Sequence, residues 1–361
     1  MPRVRTNQQT IVTAVVGLQA AAACLLLPVS PAGRLAAAAV LAGLVVLLSI
    51  RFQGRRLPEW VAARIRFRRR AALGRGYRPR AAIETVVPGV DTRGHADRAG
   101  NRVGLLADGP AWIAILRLDP IADGAVVNRL DQLMALLPTA GADVDVVQLV
   151  GWSVPRGGRD RDALRTFWVA VRFEPALHPS AVAARGGGEQ GGVRAAAAAA
   201  LRLAASLREQ AFGVRVLDGT ELSDEVCTSL GVQPAPRGGT GQPITAQGRG
   251  PSVRETWRFW SLGGLNHACF RLHRPPSQRA KLAALFTQLG RPPAVTTCVS
   301  VVYRGGPPEV FVRLAVPADR NAFATWNALR RAAAGLRGRP IPMNGEHLPG
   351  VRATIPLAAL P

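Results

Sequence analysis

Two apolar runs open the chain. Ile11 to Leu27 carries no charge and only Thr13 and Gln19 as polar side chains, and Leu35 to Ile50 has only Ser49. Pro28 to Arg34 separates them as a short turn with two helix breakers. A membrane-crossing helix needs about 20 mostly apolar residues, with a lower limit near 17. Both runs reach that length once their edges are counted, and neither shows the polar stripe of a soluble helix. The pattern therefore predicts a transmembrane helical hairpin over 1–52, with spans at about 11–29 and 34–52. A secretory signal peptide, with Arg3 and Arg5 as its basic start, is the competing reading. The second span that follows at once speaks against it.

From Leu57 to Leu73 the pattern changes. Leu57, Val61 and Ile65 recur every four residues, with Trp60 and Phe67 nearby and arginines over the remainder. This predicts a short helix within an Arg-rich stretch, 53–80. Charge sharpens the picture. The chain of 361 residues has a net charge of +23, and residues 1–80 alone hold 14 arginines against one acid, Glu59. A basic stretch beside apolar spans points to anionic headgroups before nucleic acid. The candidate lipid-surface residues are Arg55, Arg56, Trp60, Arg64, Arg66, Arg68, Arg69 and Arg70. Arginines precede the first span and follow the second, while the turn has only Arg34. The positive-inside rule then puts both termini in the cytoplasm, on an inner-membrane protein with two spans.

Beyond residue 80 the pattern alternates between strands and helices. Val103 to Leu106 and Trp112 to Leu118 flank Asp108-Gly109, a hairpin signal. Val126 to Leu137 and the Ala-rich run Val193 to Phe212 read as helices; Val144 to Trp152, Thr166 to Phe173 and Val214 to Leu217 read as strands. Ser223 to Leu230 reads as a helix capped by Ser223. Residues 231–253 are dense in Gly and Pro without periodicity and read as a flexible linker; Arg185 to Gly192 reads as a second loop. After the linker, Glu255 to Leu262, His267 to His273, Val295 to Arg304, Val310 to Val316 and Val351 to Leu357 read as strands. Gln278 to Leu289 and Asn321 to Leu336 read as helices. The expected fold is an α+β cytoplasmic domain with a largely antiparallel sheet. Its two parts, 81–230 and 254–361, each read β-β-α-β-β-α-β, a pattern-level repeat.

Candidate chemistry is sparse. Arg185 to Gly192 precedes a helix, but a P-loop also needs Gly-Lys-Ser/Thr, and the single lysine, Lys281, is far away. Asp143-Val144-Asp145 resembles the metal-binding Asp-x-Asp of nucleotide-sugar transferases, yet it begins a strand where that motif usually ends one. His267, Cys269 and His273 share one face of a strand. At about 3.3 Å per residue, however, the two histidines lie about 20 Å apart, too far for one ion. That face reads as the polar side of an amphipathic strand. Neither G-x-S-x-G nor H-E-x-x-H occurs. The four cysteines form no C-x-x-C pair, which argues against a zinc ribbon or a disulfide framework. No catalytic, metal-binding or cofactor-binding residue is assigned, and no nucleic-acid partner is expected.

The two-span hairpin, the stretch Trp60 to Arg70, the strands within Val103 to Leu118, Gln148-Leu149-Val150, Thr166 to Phe173 and the closing Gly350 to Leu357 form a familiar series. In these features the chain resembles the EccE membrane component of actinobacterial type VII (ESX) secretion systems. The resemblance implies a non-enzymatic structural subunit at the cytoplasmic membrane. It further implies assembly with EccB, EccC and EccD, of which EccC is the ATPase. A membrane-anchored nucleotide-sugar transferase using Asp143 and Asp145 is the alternative of a different class.

Overall fold

The computed structural model describes residues 51–52, 55–73, 81–140, 143–155, 163–232, 252–289, 294–320, 323–336 and 338–359, with a few isolated positions between 32 and 43. Among these residues no helix is long and apolar enough to cross a membrane. The span expected at 11–29 lies outside the described residues, as does most of the one expected at 34–52. At the end of the latter, Arg51 and Phe52 are extended and not helical. Most of the expected linker, from 233 to 251, is likewise outside them.

The chain divides into two compact units, Met1–Ala72 and Leu73–Pro361. In the first, β1 (Arg51–Phe52) pairs antiparallel with β2 (Arg55–Arg56) and leads into helix α1 (Leu57–Leu73).

The second unit is an α+β body around one 12-stranded antiparallel sheet. One arm of that sheet holds β3 (Asp91–Ala96), β4 (Arg102–Asp108), β5 (Ala111–Leu118), β6 (Val146–Pro155), β7 (Ala163–Phe173) and β8 (Val214–Val216). The other holds β9 (Val253–Glu255), β10 (Trp260–Leu262), β11 (Leu265–His273), β12 (Thr296–Tyr303), β13 (Glu309–Pro317) and β14 (Arg339–Pro342). The order is β3-β4-β5-β7-β6-β12-β13-β11-β10-β9, with β8 on β5 and β14 on β11. Read from either edge, the order of connections is the same. The seam is the β6–β12 ladder, from Ser153 opposite Thr297 to Val147 opposite Tyr303.

Both faces of the sheet are buried, which explains the near-continuous apolar runs of its central strands. In β7, Phe167, Val169, Val171 and Phe173 join one core while Trp168 and Ala170 join the other. The first core is closed by α2 (Val126–Ala140), α4 (Gly188–Glu209), α6 (Arg279–Gln288) and α7 (Phe323–Gly335). Its small residues Ala196, Ala197 and Ala200 let α4 lie close to the strands. Behind the other face lie residues 81–90, α5 (Gly219–Leu230), α8 (His347–Arg352) and the closing segment to Ala359.

Several elements differ from the sequence reading. Helix α5 starts at Gly219, because Asp218 and not Ser223 caps it. The Asp218 carboxylate accepts from the Thr220 and Glu221 amides, and Glu221 reaches back to the Asp218 amide. Helix α4 begins at Gly188, inside the stretch read as a loop: Gly186, Gly187 and Gly188 have positive φ, and the helix follows at once. The stretch 255–262 is two strands, since Thr256 closes a turn by accepting from the Phe259 amide at 3.0 Å. Val351 to Leu357 is no strand. It contains the end of α8 and a turn segment whose apolar side chains Val351, Ile355 and Leu357 are fully buried. Apolar runs of that length do not distinguish strand from packed turn.

Candidate functional site

Helix α1 carries the charge pattern singled out in the sequence. Pro58 and Glu59 sit in its first turn and Arg70 in its last, each placed to suit the helix ends. Ala63 is fully buried, and Trp60 and Phe67 are half-buried. Val61 and Ile65, four residues apart, are 43% and 48% exposed. With 100° per residue they form one strip with exposed Pro58 and Ala72, and exposed Arg68 and Arg69 flank it. Arg66 is also exposed, while Arg64 and Arg70 are half-buried; Arg55 and Arg56 precede the helix in β2. The helix thus presents an apolar strip between exposed arginines.

The Asp-x-Asp pair does not converge. Asp143 is on the surface, ion-paired with Arg202 at 2.9 Å. Asp145 turns inward, where it accepts the Glu174 amide at 2.5 Å and meets His178 Nε2 at 3.1 Å. His178 is in turn stacked on Phe173 at 4.8 Å. Asp145 thus pins the chain where β7 turns toward α3 (Pro179–Ala183).

His267 and Cys269 share a strand face as expected, but that face is not the polar side of an amphipathic strand: both are fully buried. Burial, and then the nearby charge of Arg313, hold the His267 pKa well below its ordinary value, so the imidazole is neutral. Burial likewise raises the Cys269 thiol. The Cys269 amide donates to His347 Nδ1 at 3.2 Å. Among the described residues no group of three or more His, Cys, Asp or Glu side chains could hold a metal ion.

Sequence reasoning missed three polar connections, two of them buried and one half-buried. Arg313 is 1% exposed; it donates to the Ser229 carbonyl at the end of α5 and to Cys298 Sγ. Gln148 donates to Ser300 Oγ at 2.8 Å and to the Ala353 carbonyl at 2.9 Å, and accepts the Ala358 amide at 2.6 Å. Asp108 receives Arg172 at 2.7 Å and Arg352 at 2.6 Å. Burial opposes ionisation of Asp108, but the Arg172 hydrogen bond and the charges of Arg352 and Arg172 outweigh it and hold its pKa below the ordinary value. An isolated Gln within an apolar strand was the one legible hint, since a buried amide requires partners.

These polar groups join elements distant in the chain to one another. Residues 162–272 match the family described as "Putative type VII ESX secretion system translocon, EccE". That description is of a translocon component of a type VII secretion system and names no reaction. The matched stretch, less than a third of the chain, runs from β7 through α4, α5 and β9 to β11. No curated protein matches the chain.

Proposed function

We propose that the protein is a structural membrane subunit of a type VII (ESX) secretion machinery that contributes to complex assembly and to protein export across the cytoplasmic membrane. The EccE match over residues 162–272 carries this reading. Its partners are the other membrane subunits, EccB, EccC and EccD. Two spans, at about 11–29 and 34–52, anchor it with both termini in the cytoplasm. Helix α1 lies on anionic lipid headgroups, with Val61 and Ile65 inward and Arg66, Arg68 and Arg69 at the phosphates; each arginine there contributes about 1 kcal/mol. The recurrent order of strands is consistent with two related parts, 81–230 and 254–361. The transferase alternative is disfavoured because Asp143 and Asp145 point apart, each already engaged.

Deleting the gene lowers ESX secretion, and copies substituted at Asp143, Asp145, His267 and His273 that still fold restore it. Mild-detergent pull-down from the complemented strain recovers the other membrane subunits. Folded, assembled variants that fail to secrete would reveal a catalytic site and overturn the structural reading.

A further inference from the structure

The two arms of the sheet differ at one equivalent place. On β5, β4 pairs with Ala111–Ile113 and β8 with Leu116–Leu118. On β11, β10 pairs with Leu265–His267 and β14 with Phe270–His273. Each arm therefore has a gap between two strands that share one edge. In the first arm the gap is closed. The Leu217 amide bonds the Ile115 carbonyl at 3.0 Å, and Gly104 on the longer β4 bonds the Leu217 carbonyl at 2.8 Å. In the second arm the Met343 amide makes the matching bond to the Cys269 carbonyl at 2.9 Å. But β10 has three residues where β4 has seven, and the bond that answers to that of Gly104 lies further out, from the Gly345 amide to the Trp257 carbonyl at 2.8 Å.

A cavity of about 320 Å³ opens there. Its floor is apolar: Ala268 and Phe270 from β11, Leu314 and Val316 from β13, and Trp326 from α7, whose ring meets Phe270 edge-on at 5.6 Å. Its polar lining favours donors. Arg258 and Arg320 are exposed at the cavity and have no ion-pair partner among the described residues. Trp326 Nε1 is buried without an acceptor. The Asn266 carbonyl already accepts from Ser261 Oγ at 2.6 Å, so its amide nitrogen remains to donate. No carboxylate lines the cavity. Arginines of the first arm such as Arg93, Arg172 and Arg202, by contrast, each hold an acid.

We propose that this cavity binds an acidic segment of another protein, which seats one apolar side chain on Phe270, Leu314, Val316 and Trp326 and presents a neighbouring carboxylate to Arg258 and Arg320. Charge complementarity selects the occupant: unpaired arginines around an apolar floor favour an anion joined to an apolar group. Size selects a side chain over a larger cofactor, because the volume is at the low end of the roughly 300–1,000 Å³ of small-molecule sites. The inference goes beyond the secretion reading and does not depend on it.

The full-length protein in detergent micelles is panned against a randomised nonapeptide library. Enriched peptides carry Asp or Glu within two positions of Leu, Ile, Phe or Trp. Binding of a fluorescent enriched peptide weakens about tenfold or more in the Arg258→Glu/Arg320→Glu double variant, whose sites are exposed and whose melting temperature is unchanged. Ala268→Trp, which fills the cavity, abolishes binding if it folds; the double variant decides if it does not. No enrichment, enrichment of neutral or basic peptides, or affinity unchanged in the double variant each overturns the proposal. Tighter binding of 4-phenylbutyrate than of any enriched peptide overturns it in favour of a small-carboxylate site.

Discussion

The two arms of the sheet share an order of strands and differ in how their surfaces are completed. The first is covered by the 22-residue, Ala-rich α4, and its edge gap is closed by Gly104. The second is covered by the 13-residue α7 and keeps an open cavity at the same place. Equal topology thus leaves one arm as packed interior and the other as an available surface. What differs is local: the length of one strand, and where a glycine lets a neighbouring segment pass, at Gly104 in the first arm and at Gly345, further out, in the second. A Cβ on Gly104 would lie 2.4 Å from the Asp218 carbonyl carbon.

The arms also clasp each other, by different means. The end of α5, belonging to the first arm, is held over the second by Arg313. The closing segment of the second arm is held over the first by Arg352 on Asp108 and by Ala353 and Ala358 on Gln148. One clasp is a buried cation on a helix-end carbonyl, with no carboxylate within ion-pair distance among the described residues. The other uses a neutral amide and a carboxylate between two arginines.

This comparison can be broken at its strongest point first. Gln148→Leu removes three buried hydrogen bonds and leaves the Ser300 hydroxyl and the Ala358 amide unpartnered. It should cost about 3 kcal/mol in denaturant unfolding and expose residues 353–361 to carboxypeptidase. A loss below about 1 kcal/mol with an uncut tail would show that Gln148 does not hold the clasp.

Gly104→Ala should cost about 2 kcal/mol, because the contact it creates is with backbone that cannot rotate away. The same substitution at Gly94, on the edge strand β3 and open to solvent, should cost under about 0.5 kcal/mol. Equal melting temperatures for the two variants would mean that the first-arm gap is not closed by close approach.

Asp108 gives the second clasp a pH dependence. Its folded pKa lies below its unfolded value of about 4. Its stabilisation is therefore present above that unfolded value and is lost as pH falls through the folded one. Melting temperatures recorded from pH 7 to pH 3 should fall less steeply for Asp108→Asn than for the unmodified protein. Parallel curves would rule out Asp108 as a source of the acid sensitivity.

The smallest effect is expected at Arg313. Burial of a guanidinium without a carboxylate is costly, and that cost offsets its bond to Ser229. Arg313→Met should leave stability within about 1 kcal/mol of the original, or raise it. A loss of 3 kcal/mol or more would show that the first clasp depends on its charge.

Much of the body was legible in the sequence, and the reason is periodicity. Strands such as Thr166 to Phe173 and Val295 to Arg304 are long apolar runs bounded by turn residues, and Gly263-Gly264 marks a hairpin whose two glycines have positive φ. The misread elements have weak local signals. The strand β3, DTRGHA, is mostly exposed and polar, so nothing in its composition announces a strand; its pairing with β4 makes it one. Gly350 to Leu357 is apolar because it packs against the sheet, and apolar content alone does not fix backbone shape. On α1 the helix was readable to the residue, but which of its residues are exposed was not: Val61 and Ile65 are exposed while Ala63 is fully buried.

The sequence by itself determined the charge asymmetry, the helix α1, the alternation that builds an antiparallel α+β body, and the absence of a P-loop, because each depends on residues close together in the chain. Tertiary structure decided the rest. It brought Asp108 to Arg352 across 244 positions and Gln148 to Ala358 across 210, made His267 a buried neutral group, and opened a cavity in the second arm. Such contacts are set by which strands become neighbours and how closely loops can pass them, and no local pattern of residue types encodes either.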